Sequence, residues 1–364
     1  YTPVIGGVEE VVRRIAEYMA AQGHDVYVAT YNRLRRGGTG KLPREETING
    51  VHVIRLKPTM TWNHGSYSPE LPNVIRELKP DIVHVHVWRH PHVFQIAKLK
   101  DKVKFKAILH GHAPFYRLSQ LGFVTWTYHR LVDILLRGVL RSYDRYIALT
   151  DHEEAIISKK LGVTRNKIII IPNGIDYDRC KRDDNWNNTV LYLGRMSKEK
   201  NIHLLMRAMV IVSKEIKDAR LVLAGPDEGQ ILRLIEYAKK HGVRVQYLGS
   251  VDEKQKHELY RTSTVYALPS LYEGFGVTLL EAGIHAMSSV ITGNGGQIYA
   301  APPGKASLWA ESRPMEYAGA LIRLLTDKQL WNKLSRGAYE HALRFTWDKV
   351  LPMYEKLYRD VAGS

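Results

Sequence analysis

Two cations stand close together after one apolar run. Leu191-Tyr192-Leu193-Gly194-Arg195 places a guanidinium just past a strand-like segment, and Lys200 follows where a helical pattern begins near Asn201. A pair of this kind at a helix entry suits a diphosphate, because the cations neutralise its charge and the free backbone amides add donors. The other reading of the same residues is a solvated loop, Lys198-Glu199-Lys200. A second group lies in Pro269-Ser270-Leu271-Tyr272-Glu273-Gly274-Phe275-Gly276-Val277-Thr278-Leu279-Leu280-Glu281-Ala282. Here a Gly-flanked acidic loop feeds an apolar helix that carries a second carboxylate. Glu273 can accept hydrogen bonds from sugar hydroxyls; Glu281, about two helical turns on, is expected on the same helix face, where ribose hydroxyls would suit it. Leu279, Leu280 and Ala282 beside Glu281 argue against simple solvation.

His84, His86, His90, His92, His110 and His112 crowd one stretch of the chain. His84 and His86 alternate on a strand and share one face. No Cys or acidic pair accompanies them, so a structural or substrate-facing role is preferred and no metal site is predicted. Residues Tyr116 to Tyr143 mix Phe123, Trp126, Tyr128, Leu135, Leu136 and Leu140 with Arg117, Arg130, Arg137 and Arg141. That mixture reads either as a buried helix pair with charged rims or as a surface lying on an anionic membrane that admits a lipid-linked acceptor. The basic loop Arg33-Leu34-Arg35-Arg36 would add to the pull.

These residues need a frame. Gly7 to Gln22 carries Val8, Val11, Val12, Ile15 and Met19 at helical spacing and leads through Gly23-His24-Asp25 into a strand at Val26 to Thr30. Further strands are predicted at Val51–Ile54, Ile82–Val87, Phe105–Leu109, Arg145–Leu149 and Ile168–Ile171, the last halted by the turn Pro172-Asn173-Gly174. A second α/β run follows, with strands at Thr189–Leu193, Arg220–Ala224, Val243–Tyr247, Val265–Leu268 and Ser289–Thr292, and helices such as Asn201–Val212 and Gln230–His241. Strands separated by helices imply parallel sheets. Three parts are expected: residues 1–172, 173–345, and a terminal helix within 346–364 built on Trp347, Val350, Leu351, Tyr354, Leu357, Tyr358 and Val361. In open α/β sheets ligands sit beyond the carboxyl ends of the strands, so two facing domains would share one cleft.

At 364 residues the chain exceeds the size of one hydrophobic core, and its 45% hydrophobic content supports two. A single cysteine, Cys180, excludes an intramolecular disulfide, and no membrane-spanning run or signal peptide is visible. A cytoplasmic place is expected, with a peripheral position on the inner membrane face as its extension. The first residues are Tyr1-Thr2-Pro3-Val4-Ile5-Gly6-Gly7, with no strand ahead of the Gly pair, so the native protein is expected to begin earlier. Residues 1–174 hold 26 Lys and Arg against 15 Asp and Glu, and carry most of the net +16. A basic half of this kind suits a phosphorylated substrate or an anionic membrane. No nucleic-acid motif accompanies it, and no nucleic-acid partner is predicted.

Gly194-Arg195 with Lys200, Gly225 after an apolar strand, and Glu273 with Glu281 resemble the retaining glycosyltransferase family 4, glycosyl transferases group 1, of GT-B fold. The likeness covers nearly the whole chain. Gly6-Gly7, Asp81-Ile82-Val83-His84, His110-Gly111, Ile171-Pro172-Asn173-Gly174-Ile175-Asp176, Tyr247-Leu248-Gly249 and Leu268-Pro269-Ser270 follow in the family's order. The resemblance implies two Rossmann-like domains, the first for acceptor and the second for donor, with a C-terminal helix crossing back to the first. It also implies transfer of a hexose-type sugar from a UDP- or GDP-linked donor, with retention of anomeric configuration, through an oxocarbenium-like transition state. Arg195 and Lys200 would neutralise the leaving diphosphate, the work that a divalent metal does elsewhere, so metal independence is expected and no cofactor is needed. Glu281 would hold the ribose. Glu273, with the amides of Gly274, Phe275 and Gly276 and with Val277 at the helix start, would position the sugar. Gly6 and Gly7 would let the backbone approach the diphosphate, Gly225 would line the donor site, and His110 would contact the donor sugar near the reacting carbon, with His112 as the second choice.

The segment after Glu281 departs from the family pattern. Gly295-Gly296 is kept, but the preceding proline and the later glutamate are missing. Two other readings therefore stand beside transfer: a GT-B-fold sugar-nucleotide epimerase, and a weakly active or inactive sugar-nucleotide-binding homologue.

Overall fold

A computed structural model describes residues 1–4, 6–33, 42–62, 65–112, 122–135, 137–177 and 186–363. Leu34 to Arg36 of the basic loop, Tyr116, Arg117, Leu136 and Cys180 lie outside the described residues. The chain forms two compact units, Tyr1–Gly174 together with Trp347–Ser364, and Ile175–Thr346.

In the first unit, β1 (Tyr27–Tyr31) lies parallel to β3 (Val51–Leu56), and β2 (Glu45–Ile48) is antiparallel on the far side of β3. A hairpin joins β4 (Met60–Trp62) to β5 (Gly65–Tyr67). A four-stranded parallel sheet runs β6-β7-β8-β9, formed by Ile82–His86, Lys106–His110, Arg145–Ala148 and Ile168–Ile170. Alternation along β7 and β8 sorts the two faces. Ala107, Leu109, Tyr146 and Ala148 join a core with Val93, Ile96, Ala97 and Leu99 of the helix Pro91–Lys100. Ile108 and Ile147 point the other way, into a core built from two terminal helices.

Those helices are Gly7–Ala21 and Trp347–Ala362. Val11, Ile15 and Met19 of the first pack with Val350, Leu351, Tyr354, Leu357 and Val361 of the second. Each presents apolar positions three or four residues apart, so one stripe is buried and the rest stays polar. The C-terminal helix therefore belongs to the core of the N-terminal unit.

The second unit is a six-stranded parallel sheet in the order β12-β11-β10-β13-β14-β15. The strands are β10 (Thr189–Leu193), β11 (Arg220–Ala224), β12 (Arg244–Tyr247), β13 (Val265–Leu268), β14 (Ser289–Ile291) and β15 (Ser307–Trp309). Counted from β10, this is the order 3-2-1-4-5-6 of doubly wound nucleotide-binding sheets. All of β13 and the first four residues of β10 are buried, as central strands covered on both faces must be.

The predicted strands of both halves are present, Thr189–Leu193, Arg220–Ala224 and Val265–Leu268 with the predicted bounds and the others with one or both ends shifted by one or two residues. Sequence reading does not show β2, β4, β5 or β15. Each has only three or four residues, and β2 reads Glu-Glu-Thr-Ile with no fully buried position. The helix Phe123–Leu135 is not half of a buried pair. Only Val132 and Asp133 of it are buried, while Phe123, Val124, Leu131, Ile134 and Leu135 are at least half exposed.

Candidate active site

In a doubly wound sheet the crevice opens beyond the carboxyl ends of the two strands where the order reverses. Here those strands are β10 and β13, which pair directly through Val190 and Leu191. The loop after β10 carries Gly194, Arg195 and Lys200; the loop after β13 carries Glu273 to Gly276. The two loops are tied where the Leu271 amide donates to the Glu199 carbonyl at 2.9 Å.

Gly194 and Gly225 make the crossing possible. The Gly194 amide donates to Ala224, and the Gly225 amide donates to Gly249. A Cβ on Gly225 would stand 2.0 Å from the Gly194 carbonyl oxygen, and its φ of +131° is one that side chains avoid. Glycine is required there by the protein's own backbone.

Lys200 Nζ lies 2.7 Å from Glu273 Oε1, and both side chains are mostly buried. Arg195 is held between two carboxylates, Nη1 at 2.7 Å from Glu228 and Nη2 at 3.0 Å from Glu199. About half of the Arg195 side chain stays exposed. Lys200 thus touches the predicted sugar-binding glutamate, and both cations are braced by acids.

Glu273 and Glu281 do not share a helix face. The helix runs Val277–Ile284, and its N-cap Gly276 has φ +93°, a left-handed turn that separates Glu273 from the helical run. Glu273 instead sits in an extended loop bridged to Gly295. The Glu273 amide donates to Asn294, and the Gly296 amide donates to the Glu273 carbonyl. A Cβ on Gly295 would stand 2.1 Å from that carbonyl oxygen, and one on Gly296 would stand 2.5 Å from the Gly274 carbonyl oxygen. The Gly295-Gly296 pair therefore lets one loop lie against the back of Glu273-Gly274-Phe275. Phe275 is buried, which fixes the glycines on either side of it.

Gln297, fully buried, closes this second loop. Its Oε1 accepts from the Thr292 and Gly293 amides, each at 3.0 Å, and its Nε2 donates to the Ser270 carbonyl at 3.1 Å. In this way the chain keeps the loop in place without the family's proline and glutamate.

Glu281 is one-fifth exposed. Its Oε1 accepts from Lys256 Nζ at 2.9 Å and its Oε2 from the Tyr260 hydroxyl at 3.0 Å. Burial pulls Lys256 down, but Glu281 and Glu253 beside it outweigh burial and leave the ammonium above its ordinary range. Each carboxylate oxygen retains further acceptor capacity.

In the first unit His110 closes β7 and is completely buried, with neither ring nitrogen hydrogen-bonded. It stacks on His112 with ring centroids 3.8 Å apart. Desolvation, with the neighbouring His112 and His84 in second place, holds it well below the usual imidazole range. Gly6 caps the first helix in extended conformation, and its carbonyl accepts from the Glu10 amide. Gly7 opens the helix, and a Cβ there would meet nothing within 4 Å. Nothing in the packing of the described residues requires glycine at position 7.

Family comparisons bear on this geometry directly. The model "Glycosyltransferase Family 4" matches residues 5–179, and "Glycosyl transferases group 1" matches residues 179–341. The chain belongs to glycosyltransferase family 4. Relatives include the glycogen synthase of Mycobacterium tuberculosis, 26% identical over 98% of this chain and 92% of the relative. The D-inositol 3-phosphate glycosyltransferase of Acidothermus cellulolyticus is 27% identical over 99% of this chain and 86% of its own. Among solved structures, sucrose-phosphate synthase from Thermosynechococcus elongatus superposes with a TM-score of 0.80 at 20% identity, covering 99% of this chain and 94% of that one. Anabaena HepE, solved with UDP and glucose, gives 0.75 at 16% identity, over 98% and 96%. The glycosyltransferase thus has the GT-B fold, and the epimerase reading is not favoured.

Several residues that brace the candidate site are invisible to motif reading. Glu228 reaches Arg195, and Lys256 and Tyr260 reach Glu281, from loops and helices 21 to 33 residues away in the chain. No local pattern marks them. Gly295-Gly296 does carry a signal, since paired glycines announce close backbone approach. An Asp-x-Asp spacing also occurs at Asp176 and Asp178; Asp178 lies outside the described residues.

Proposed function

We propose that this glycosyltransferase moves a hexose-type sugar from a UDP- or GDP-linked donor to an acceptor hydroxyl, with retention at the anomeric carbon and without a divalent metal. The observation that carries the reading is the Lys200 to Glu273 pair at the point where the strand order reverses. Charge develops on the departing diphosphate, and fixed cations beside it lower that barrier. Arg195 and Lys200 take this role. Glu273 and the amides after it hold the sugar, Glu281 the ribose, and His110 the sugar near the reacting carbon. Gly6 and Gly7 give the diphosphate access to backbone. The Anabaena protein's complex with UDP and glucose supports a uridine nucleotide.

The test is calorimetry with UDP-, GDP- and ADP-sugars in EDTA, comparing the intact chain with Arg195→Ala/Lys200→Ala. Tight binding of one nucleotide class, lost in the variant, is expected. Undiminished binding in the variant would sink the site assignment, binding without turnover would favour the inactive sugar-nucleotide-binding homologue, and no binding by the intact chain would count against both.

The acceptor is proposed to lie at an anionic lipid surface. The supporting feature is the exposed stripe of Phe123, Val124, Leu131, Ile134 and Leu135, with Arg130, Arg137 and Arg141 close by in the chain. No helix among the described residues is long and apolar enough to cross a membrane. Co-sedimentation with phosphatidylglycerol vesicles, absent with phosphatidylcholine and lost in Leu131→Glu/Leu135→Glu, is the expected result; equal recovery on both lipids would count against it.

A further inference from the structure

The histidines of the first unit form a cluster of which the proposed donor chemistry uses only His110. His84 and His86 alternate on β6 and so share a face, and His86 stands in register with His110 on the neighbouring parallel strand. One ring nitrogen from each of His84, His86 and His110 lies within 4.8 Å of the others. His110 has no partner at either nitrogen, and His84 has none at Nε2. Buried polar atoms in folded proteins almost always find a partner, so vacant nitrogens on the His84 and His110 rings, beside His86, call for an explanation.

The neighbours of the cluster are arranged as supports. His84 Nδ1 lies 2.6 Å from the Tyr358 hydroxyl, which leaves Nε2 as the free atom. His86 Nδ1 lies 2.9 Å from His112 Nε2. Metal-bound imidazoles characteristically use their second nitrogen in this way, and the outer partner fixes the ring's tautomer and direction. Tyr354, from the same helix as Tyr358, holds its ring tilted at 35° with its centroid 6.2 Å from that of His84 and 6.4 Å from that of His110, and its own buried hydroxyl has no partner.

We propose that His84, His86 and His110 bind a divalent transition-metal ion such as zinc, and that the bound ion ties up the His110 ring and inhibits sugar transfer. Three imidazoles suit zinc, nickel or copper, and a fourth position is left for water. Tetrahedral coordination at ~2.0 Å would bring the ligand nitrogens to about 3.4 Å from one another, a small closure from the present spacing. The inhibitory half rests on the proposed role of His110 in transfer; the binding half does not.

The test is made on the EDTA-treated intact 364-residue chain, using Zn2+ calorimetry and the visible absorption of bound Co2+, with circular dichroism as a folding check. One ion per chain is expected, with affinity at least tenfold lower in His84→Ala and ten- to a hundredfold lower in Tyr358→Phe, which removes only the supporting hydroxyl. If His84→Ala loses its fold, Tyr358→Phe decides alone. Unchanged affinity in the folded variants, or loss only in His52→Ala on the surface, means an adventitious ion and overturns the site. Zinc should also suppress transfer by the intact enzyme and spare His84→Ala. Zinc bound at the cluster with full transfer would overturn inhibition and leave the site standing.

Discussion

Lys200 and Glu273, 73 residues apart in the chain, meet as an ion pair at 2.7 Å with both side chains mostly buried. One group is assigned to the leaving diphosphate and the other to the sugar. Each is therefore set by the other before any donor arrives, and preorganisation of this sort spares reorganisation during the reaction. Lys200→Ala should cut kcat/KM for the donor by roughly 10²- to 10³-fold, the scale of removing one transition-state electrostatic contact. Glu273→Gln should keep nucleotide binding within a few-fold while lowering kcat. Steady-state kinetics on both variants, with nucleotide affinity measured separately, checks this; equal loss of nucleotide affinity in Glu273→Gln would contradict the division of labour.

Two glycines separate structural from functional need. Gly225→Ala drives a methyl into the Gly194 carbonyl and imposes a forbidden φ, so the second unit should lose on the order of 3 kcal/mol or more. Gly7→Ala meets open space in a helix, so stability should hold or rise by up to about 1 kcal/mol. If Gly7 admits the diphosphate, donor affinity should nevertheless fall at least tenfold. Thermal melts read against donor titrations distinguish the two.

The buried pair of Arg89 and Asp133 anchors the exposed apolar helix. Arg89 Nε and Nη2 lie 2.8 and 2.7 Å from the two Asp133 oxygens, and Trp88 Nε1 donates to Oδ1 at 2.9 Å. Asp133→Ala removes the two-pronged carboxylate partner of a buried guanidinium and should cost about 3–5 kcal/mol. Denaturant unfolding, together with protease sensitivity between residues 122 and 142, reports the loss. Unchanged stability would mean that the pair is not an anchor.

Leu357 lies in the C-terminal helix and is buried in the core shared with Val11, Ile15 and Met19. Leu357→Ala should destabilise the first unit by about 2–5 kcal/mol. Ending the chain near Arg344 removes that whole face and should abolish transfer together with the first unit's cooperative melt. Unchanged turnover in the shortened protein would refute the dependence.

Much of this was readable from residue order alone. β10, β11 and β13 are short apolar runs bounded by Gly or Pro, and strands buried on both faces cannot be written otherwise. The positions of Gly194, Arg195, Glu273 and Glu281 in the chain followed from the same reading. The strands β2, β4, β5 and β15 were not readable, because Glu-Glu-Thr-Ile, Met-Thr-Trp, Gly-Ser-Tyr and Ser-Leu-Trp are short mixed segments without a continuous apolar run.

What the sequence by itself determined was the alternation of strand and helix, and with it parallel sheets, the chain positions of the loops that carry the chemistry, and the amphipathic stripe of the terminal helix. Local periodicity suffices for these, since each is set by neighbours within a few turns. Only the tertiary structure decided that Lys200 meets Glu273, that Glu228 and Glu199 grip Arg195, that Gly276 turns Glu273 off the helix of Glu281, and that His84, His86 and His110 converge. Those contacts join segments tens of residues apart, and their partners are chosen by strand order and register, which no local pattern encodes.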